Sequence, residues 1–420
     1  ILIYNELETA KISGFGKLVD YLKEDDFKSA EVKKIQPNLY RAKLNRSDRI
    51  LFSIYQYQDK NYILILEYLK KHDYQGSHFL NADIEINEDL IPVIESVDEI
   101  QIDEKMVYVN SNNPQFVYLN KFISFDDVQQ YIYKQYPPLV IIGSAGSGKT
   151  AILLEKIKQL EGQILYVTLS SFLVKNSREL YYSEHYYNEN QLVDFYSYQE
   201  FLESIAVPSQ NIADIDYFMS WYKANYKHKF SAHSIYEEFK GVLTGAMTDQ
   251  AYLSEQGYLA LGVKQSIFHV DERAEVYAIF KHYLQDLEKQ NLADLNILSY
   301  DYLSKVKPSY DFVVIDEVQD ITAIQLYLIL NSLSQKGLFL MCGDANQIVH
   351  PNFFSWAKVK SLFHRHEELH HGAEITHISQ HNYRNAQRIT EISNRVLLLK
   401  NARFGSIDKE SHYLVQSNAE

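Results

Sequence analysis

The amino-acid sequence predicts an α/β protein: a doubly wound parallel sheet that carries a helical insertion and follows a small α+β domain. Three observations support this fold class. Short apolar runs, typical of parallel strands buried on both faces, recur from residue 139 onward. Helical patterns separate these runs, and between residues 200 and 300 only helical patterns remain. The 420 residues are enough for two or three domains.

The composition excludes several classes of protein. Hydrophobic residues make up 46% of the chain, which indicates a globular protein. The formal net charge of −14 disfavours a generally cationic nucleic-acid-binding surface but allows a local basic groove. Cys342 is the only cysteine, so an internal disulfide is excluded and a reducing, cytoplasmic location is expected. No apolar run has membrane-spanning length and no signal peptide is visible, so no membrane partner is expected.

Residues 1–75 are predicted to form the small α+β domain. The stretch FGKLVDYLKEDDF has its apolar positions at helical spacing, and three strand-like runs follow it: LYRAKL, RILFSIYQY and YILILEYL. Residues 76–120 are polar and mixed, with short strand-like pieces such as MVYVN. We expect them to connect this domain to the rest of the chain.

Residues 121–200 and 301–375 are predicted to form the larger α/β domain. Its strands are expected at LVII, QILYVT, LVDF, DFVVI and LFLMC. Between these two halves, residues 201–300 contain long helical patterns such as AEVYAIFKHYLQDLEKQ. They are predicted to form an inserted helical subdomain.

A glycine-rich turn follows the first strand of the larger domain and precedes a helix. It matches the pattern G-x-x-x-x-G-K-[ST] in full, with the residues Gly143, Ser144, Ala145, Gly146, Ser147, Gly148, Lys149 and Thr150. Glycines let the backbone curl so that several N–H groups face one anion, and the helix N-terminus lies behind them. We therefore predict a nucleotide phosphate site, with Lys149 on the β- and γ-phosphates and Thr150 as a ligand of Mg²⁺.

The stretch FVVIDEVQD supplies a second half of that site. Its apolar residues form a predicted core strand, and Asp316 and Glu317 follow at the carboxyl end, where parallel sheets bind ligands. Asp316 is predicted to hold Mg²⁺ and Glu317 to orient and deprotonate a water molecule. A small-molecule kinase has no need for the second acid, so the pair favours hydrolysis of the nucleotide.

DEVQD (316–320), GDANQ (343–347) and NYR (382–384), in this order after the phosphate loop, resemble the UvrD/PcrA/Rep branch of superfamily 1 DNA helicases. The resemblance covers roughly Phe122 to Leu399. It implies a RecA-like P-loop NTPase domain that uses ATP and Mg²⁺ to move on single-stranded DNA, with RNA as an alternative strand. It also implies that a second RecA-like domain begins near Ile375 and occupies residues 376–420.

The resemblance assigns further nucleotide contacts. Gln129 stands where the family has the glutamine that reads adenine, and Gln130 is the competing register. Gln347 resembles the glutamine that senses the γ-phosphate, Arg384 an arginine finger, and Tyr383 the ring that stacks on adenine. A cation positioned on a transferring phosphoryl group stabilises its charge, so these roles are chemically consistent.

Contacts with a nucleic-acid strand can be carried over in the same way. VTLSSFL implicates Thr168 and Ser170, and DFYSYQEFL implicates Tyr196 and Ser197, although Asp194 stands where the family usually has threonine. After GDANQ, the family has a tryptophan that stacks on bases. Here the stacking face would come from one of three aromatic residues, which could equally pack beneath the loop: Phe353, Phe354 and Trp356.

The later motifs of the family, including a second arginine, do not occur in this sequence. A motor needs two domains that close on ATP, so the chain as given is expected to bind ATP but to be only partly competent in hydrolysis and translocation. We expect the natural protein to continue beyond residue 420.

The stretch from 39 to 74 resembles the RelE/ParE toxin fold, in which the basic face of a sheet meets RNA. The resemblance implies an RNA-facing set: Arg41, Lys43, Arg46, Arg49, Lys71, His72 and Tyr74. Two alternatives to a helicase follow, namely an ATP-gated sensor or defence protein with this domain as effector, and an RNA-cleaving toxin with a helicase-like regulator. A module that binds RNA or a protein partner is favoured over an active ribonuclease.

Overall fold

The computed structural model describes residues 1–5, 7–80, 86–102, 104, 106, 108–110, 112–118, 121–182, 186–227, 229–263, 265–344, 346–347, 375–404 and 413–419. These residues divide into two compact units. Unit 1 comprises Ile1–Lys134, Tyr182–Tyr187 and Asn418–Glu420, and unit 2 comprises Gln135–Tyr181 and Asn188–Ser417. Of the helices that the structure describes, none combines the length and the apolar character that crossing a bilayer requires.

Unit 1 is built on a five-stranded sheet in the order β1-β5-β4-β3-β2. Its first strand pairs in parallel with the fifth, and the other neighbours are antiparallel. The strands are β1 (Leu2–Ile3), β2 (Lys33–Gln36), β3 (Leu39–Lys43), β4 (Arg49–Tyr57) and β5 (Lys60–Leu69). Helix α1 (Phe15–Lys23) buries Leu18 and Leu22 against one face of this sheet, as the helical spacing of the sequence predicts.

A second, smaller sheet spans the end of the predicted connector and the start of the range predicted for the larger domain. It is a hairpin of β6 (Gln115–Tyr118) and β7 (Lys121–Ser124), followed by helix α2 (Asp127–Lys134). Met106, from the strand-like piece MVYVN, packs into the core of unit 1. Two backbone bonds join this part of the chain to β4: the N–H of Met106 donates to Gln56 O at 3.0 Å, and the N–H of Gln56 donates to Glu104 O at 2.9 Å.

Unit 2 contains a six-stranded, fully parallel sheet in the order β10-β9-β13-β14-β8-β15. The strands are β8 (Leu139–Gly143), β9 (Gly162–Thr168), β10 (Gln191–Ser197), β13 (Phe312–Ile315), β14 (Phe339–Gly343) and β15 (Thr376–Ser379). Every residue of β8, β13 and β14 is buried, whereas β10, at an edge, alternates. The continuous apolar runs therefore mark the central strands, and the predicted RecA-like α/β fold is confirmed.

Helices cover this sheet and form the insertion. The chain adds α3 (Lys149–Ile157), α4 (Ser171–Tyr181), α5 (Tyr198–Ile205), α6 (Ile215–Asn225), α7 (Ala232–Glu238), α8 (Glu255–Leu259), α9 (Arg273–Gln290), α10 (Leu295–Tyr302) and α11 (Ala323–Leu330). The insertion packs an aromatic core of its own around Phe218, Tyr283 and Phe280. A short parallel pair, β11 (Asn211–Ile212) with β12 (Leu292–Ala293), joins the two ends of the insertion.

The last part of unit 2 begins with β15, in the range that the sequence analysis assigned to a second RecA-like domain. In the structure β15 pairs with β8 as the sixth strand of the first sheet. It leads into β16 (His381–Ala386), α12 (Gln387–Phe404) and β17 (Gln416–Ala419). The NYR motif in β16 therefore follows directly from a strand that lies beside the strand of the phosphate loop.

Three of the basic residues predicted to face RNA are engaged by acidic side chains, whereas Arg46, Lys71 and His72 are exposed. Arg41 and Arg49 are buried, and both form ion pairs with Glu88 at 3.0 Å. Lys43 is engaged by Glu31 at 2.5 Å. The sequence could not reveal this because Glu88 lies in a segment far along the chain from either arginine.

Candidate functional site

The phosphate loop lies between β8 and α3, and its backbone requires the glycines found there. Gly146 and Gly148 have φ values of +85° and +81°, in the left-handed region that favours glycine. The hydroxyl oxygen of Ser144 is buried without a hydrogen-bond partner among the described residues. An unsatisfied polar atom inside a glycine-rich turn at a helix N-terminus is suited to an anionic ligand.

Lys149 begins α3, and its ammonium group is buried inside the loop. Its Nζ atom donates to the carbonyl oxygens of Gly143 and Ser144, both at 3.0 Å. A buried ammonium needs acceptors, and in this state the backbone of the loop supplies them. The phosphates of a nucleotide are stronger, charged acceptors for the same donor.

Asp316 is the centre of the acidic half of the site, and it emerges from β13 as the sequence predicts. Its Oδ2 atom accepts hydrogen bonds from the Thr150 hydroxyl at 2.9 Å and the Tyr166 hydroxyl at 2.8 Å. Its Oδ1 atom accepts from the Cys342 thiol at 2.8 Å and the Glu317 N–H at 2.9 Å. Asp316 is thus fixed from both sides by neutral donors, and none of these four donors supplies a compensating positive charge.

Two of the groups that donate hydrogen bonds to Asp316 are the side chains of Tyr166 and Cys342. These contacts were not predicted from the sequence. Both side chains are fully buried, and burial, reinforced by the charge of Asp316, raises the pKa of each well above its ordinary value. Each therefore keeps its proton and stays a donor. Sheet register brings them to Asp316 from the neighbouring strands β9 and β14, which no sequence motif records.

Glu317 has an unusual backbone and an unusual environment. Its φ of +52° lies in the left-handed region, which is uncommon for a residue other than glycine and is concentrated at functional sites. Burial, and next the charge of Asp316, raise the pKa of its carboxyl group. Gln319 donates to Glu317 Oε2 at 2.8 Å and so orients it. A more basic, oriented carboxylate is suited to accept a proton.

Asp344 links the carboxyl end of β14 to the phosphate loop, and sequence reasoning missed it. Its Oδ2 atom accepts the backbone N–H of Ala145 at 3.0 Å. Its own N–H donates to Gln319 Oε1 at 3.0 Å, and Gln319 also holds Glu317. The GDANQ string was available as a signal, but the sequence interpretation used only its glutamine.

The NYR segment lies directly against the phosphate loop. The backbone N–H of Tyr383 donates to Gly146 O at 3.0 Å, and the Asn382 side chain donates to Ala145 O at 2.6 Å. The side-chain oxygen of Asn382, Oδ1, also accepts the backbone N–H of Arg384 at 2.9 Å. The Arg384 side chain itself is exposed. The structure therefore brings Tyr383 and Arg384 to the loop and adds Asn382 as the residue that fixes them.

The two predicted glutamine contacts differ in their surroundings. Gln347 is exposed, and its backbone N–H bonds to Asp344 O at 3.2 Å. Gln129 is buried in α2 of unit 1, where its side-chain oxygen accepts the N–H of Asp126 at 2.9 Å. In return its N–H donates to Asp126 Oδ1 at 2.7 Å, which caps the helix. Its adenine-reading role remains a prediction, as does the competing role of Gln130.

Four of the predicted strand contacts lie at the carboxyl ends of β9 and β10. Thr168 and Ser197 are register partners and are buried, and Ser197 caps α5 by accepting the N–H of Glu200 at 3.3 Å. Ser170 and Tyr196 are only half-buried. Those two are therefore the more accessible candidates for a strand. The predicted stacking residues Phe353, Phe354 and Trp356 lie outside the described residues.

Comparisons with known proteins agree with this geometry. The sequence model of the UvrD/REP helicase N-terminal domain matches residues 184–368, which include DEVQD and GDANQ but not the phosphate loop. The chain contains a UvrD-like helicase domain. The two acids Asp316 and Glu317 lie inside the matched range, whereas the phosphate loop that they face lies before it.

Two curated proteins are similar in sequence to parts of this chain. It is 25% identical, over 235 residues, to one subunit of the ATP-dependent helicase/nuclease of Oenococcus oeni, covering 53% of this chain and 18% of that protein. It is 28% identical, over 141 residues, to the human TPR and ankyrin repeat-containing protein 1, covering 31% of this chain and 5% of that protein. The chain spans less than a fifth of the length of either relative. No comparison supports the RelE-like interpretation of the N-terminal domain.

The residues present fit a magnesium ion that is shared with a nucleotide. Among the described residues, no group of three His, Cys, Asp or Glu side chains could hold a metal alone. The hydroxyl of Thr150 and the carboxylate of Asp316 are hard oxygen ligands and lie 2.9 Å apart. Mg²⁺ characteristically takes one or two such protein ligands and completes its shell with phosphate and water.

Proposed function

We propose that this chain is the ATPase core of a superfamily 1 motor, which couples ATP hydrolysis to movement on single-stranded DNA. The observation that carries the proposal is the convergence of three motifs on one loop. Asp316 bonds to Thr150, Asp344 bonds to Ala145, and the backbone of Tyr383 bonds to Gly146. A phosphate loop that is touched by all three motifs can transmit the state of its ligand to each of them.

Nucleotide binding begins with an exchange of partners at Lys149. The ammonium group leaves the carbonyl oxygens of Gly143 and Ser144 and takes up the β- and γ-phosphates. The backbone N–H groups of the loop and the hydroxyl of Ser144 turn to the same anion. Mg²⁺, held by Thr150 and Asp316, neutralises charge on the phosphates when it is bound.

Glu317 supplies the base for hydrolysis. A water molecule attacks the γ-phosphorus, the bond from that phosphorus to the bridging oxygen breaks, and the water proton passes to the Glu317 carboxylate. Gln319 keeps this carboxylate in place through its hydrogen bond of 2.8 Å. The pKa of Glu317, raised by burial and then by Asp316, makes it a better proton acceptor than a solvated carboxylate.

Arg384 and Gln347 couple the reaction to the rest of the protein. Arg384 is exposed, but Asn382 anchors its backbone against the phosphate loop. A guanidinium group that swings onto the γ-phosphate would stabilise the charge that develops there. Gln347 follows Asp344, which already bonds to the loop, so a change at the phosphate reaches it through one residue pair.

The proposal is tested with Glu317→Gln in the full chain. We expect this variant to bind a fluorescent ATP analogue as tightly as the wild type. Its ATP turnover should fall by at least about a hundredfold, because a carboxamide cannot accept the proton. ATPase rates are measured without nucleic acid, with oligo(dT), and with an RNA oligonucleotide of matched length.

Glu179→Gln is the matched control, since this exposed acid lies on α4 and pairs only with Lys175 at 4.0 Å. It should retain wild-type rates. Turnover that survives Glu317→Gln would remove Glu317 as the base. ATPase activity that neither DNA nor RNA stimulates would reject the strand-coupled motor and leave an ATP-gated sensor.

A further inference from the structure

Four donor side chains of unit 1 converge on one carboxylate. Arg41 Nη2 and Arg49 Nη2 both lie 3.0 Å from Glu88 Oε2, and Arg49 Nε lies 3.1 Å from Oε1. The Tyr74 hydroxyl donates to the same Oε1, and His72 Nδ1 lies 3.3 Å from it. The donors come from β3, β4 and the segment after β5, whereas the acceptor comes from a separate segment. Arg41, Arg49, His72 and Tyr74 thus form a preformed donor set.

Within the described ranges, the two arginines of the donor set carry more positive charge than the Glu88 carboxylate neutralises. The side chains of Arg41 and Arg49 are 2% and 6% exposed, and they share a single carboxylate that is 14% exposed. Arg41 Nε has no acceptor within the part of the chain that the structure describes. Buried guanidinium groups without full compensation are costly, so the set favours an anion with more charge and more oxygen atoms than a carboxylate.

Among the residues that the structure describes, the other charges that face the cluster do not complete that compensation. Lys33 Nζ donates to the carbonyl oxygen of Glu88 at 2.7 Å and so adds positive charge. Glu31 gives Arg41 only its carbonyl oxygen, at 2.7 Å, because its carboxylate is engaged by Lys43. A tetrahedral dianion with several oxygen acceptors matches two guanidinium forks, a phenol and an imidazole better than a carboxylate does.

The segment that delivers Glu88 is joined to the rest of unit 1 by polar contacts that lie away from the donor set. Ile94 N–H bonds to Val32 O at 2.8 Å, Val97 N–H to Asp25 Oδ1 at 2.7 Å, and Lys28 pairs with Glu95 at 2.6 Å. Glu88 itself lies in a single 3₁₀ turn, and Leu90 in that turn is 81% exposed. The turn can therefore leave the donor set without the sheet being disrupted.

We propose that Arg41, Arg49, His72 and Tyr74 form a binding site for a phosphate monoester group, and that the Glu88 carboxylate occupies this site when the ligand is absent. The ligand displaces Glu88 and releases its turn. This inference concerns unit 1 and does not depend on the ATPase proposal. Free phosphate and the 5′-phosphate of a nucleic acid carry the same group, and the experiment distinguishes them.

The test compares Glu88→Gln with the wild type, both in a Lys149→Ala background that removes phosphate binding at the loop of unit 2. Inorganic phosphate is titrated by calorimetry against chloride at equal ionic strength. We expect Glu88→Gln to bind phosphate at least about tenfold more tightly, since a neutral amide competes weakly for the guanidinium groups. Adding Arg49→Gln should abolish that gain. Equal affinities of Glu88→Gln and its parent would overturn the proposal.

Two further comparisons keep the test decisive. Glu95→Gln lies on the same segment, but Glu95 pairs with Lys28 and not with a described member of the donor set, so the change should leave phosphate affinity unchanged. If Glu88→Gln unfolds, refolding is compared in phosphate and in chloride, and recovery only in phosphate supports the site. Equal recovery in both salts would reduce the cluster to a structural ion pair. A 5′-phosphorylated oligonucleotide and its unphosphorylated form then identify the source of the phosphate group.

Discussion

Glu88 is half-buried and Asp316 is buried, and the partners of these two acids suit them to opposite tasks. Asp316 is held by a hydroxyl, a phenol, a thiol and a backbone N–H, none of which supplies a compensating positive charge. Glu88 is held by two guanidinium groups that already exceed its charge. The identity of the donors, more than the burial, decides which acid can recruit a metal and which one behaves as a replaceable ligand.

The ion pairs of Glu88 should make the stability of unit 1 depend on pH. Burial by itself would raise the pKa of Glu88, but bonds from Arg49 and Tyr74 and the two arginine charges outweigh it and lower the pKa from 4.5 to about 2. A depressed pKa stabilises the fold above pH 4.5, and this contribution is lost as the pH falls toward 2. We expect a loss on the order of 1–3 kcal/mol in the free energy of unfolding.

Hydrogen exchange at the amides of β3 and β4 measures this loss between pH 5 and pH 3. Glu88→Gln has no carboxyl group to protonate, so its opening free energies should be flatter over the same range. Glu95→Gln should follow the wild-type curve. A wild-type curve as flat as that of Glu88→Gln would show that the arginine contacts do not stabilise the fold in solution.

Among the elements, the central strands were the most predictable. LVII, DFVVI and LFLMC could be recognised because a strand buried on both faces needs an uninterrupted apolar run. The hairpin of β6 and β7 was missed because its residues neither alternate clearly nor form such a run. The pairing of β15 with β8 also escaped prediction, since a short edge strand of the pattern THIS carries little signal.

The turn at Gly146 offers a test of how closely the NYR segment contacts the phosphate loop. A methyl group at Gly146 would lie 2.7 Å from Arg384 Cβ, in a backbone conformation of φ +85° that side chains rarely adopt. Gly146→Ala should therefore push β16 away, destabilise unit 2 by about 1–2 kcal/mol and weaken ATP binding. Urea unfolding and nucleotide titration measure the two effects.

Gly16→Ala is the matched control for that substitution. Gly16 lies in α1 with no atom within 4 Å of the added methyl group and no left-handed φ. It should be neutral or slightly stabilising, because alanine is the better helix former. If Gly146→Ala behaves like Gly16→Ala, the contact between the loop and the NYR segment does not exist in solution.

For the molecule as a whole, the motifs of the sequence predicted which residues lie together at the phosphate loop, but not the residues that support them. Lys149, Thr150, Asp316 and Glu317 stand in motifs whose spacing carries their chemistry. Their supports, such as Tyr166, Cys342 and Asn382, come from other elements that only the sheet register brings near. Contacts between residues far apart in the chain cannot be predicted from a local sequence pattern. The ion pair between Glu88 and Arg41 was not predicted for the same reason.

The division into two units leads to a prediction about ligand effects. Mg·ATP at about a hundred times its dissociation constant stabilises the state that binds it by roughly 2.7 kcal/mol. We expect hydrogen exchange to slow in unit 2, at residues 143–150 and 382–384, and to remain unchanged in β3 and β4 of unit 1. Lys149→Ala should remove the protection. Protection confined to unit 1 would place the nucleotide elsewhere.

The adjacency of β8 and β15 has a mechanical consequence. The two strands run parallel over four residue pairs, from Thr376 with Val140 to Ser379 with Gly143. Tension on the chain that continues through β16 would load these backbone bonds together, in shear, and would reach the turn at Gly143 within a few ångströms. A force applied to the chain after β15 would therefore act on β8 and on the phosphate loop that follows it. Conversely, a change in the phosphate loop would act on β15.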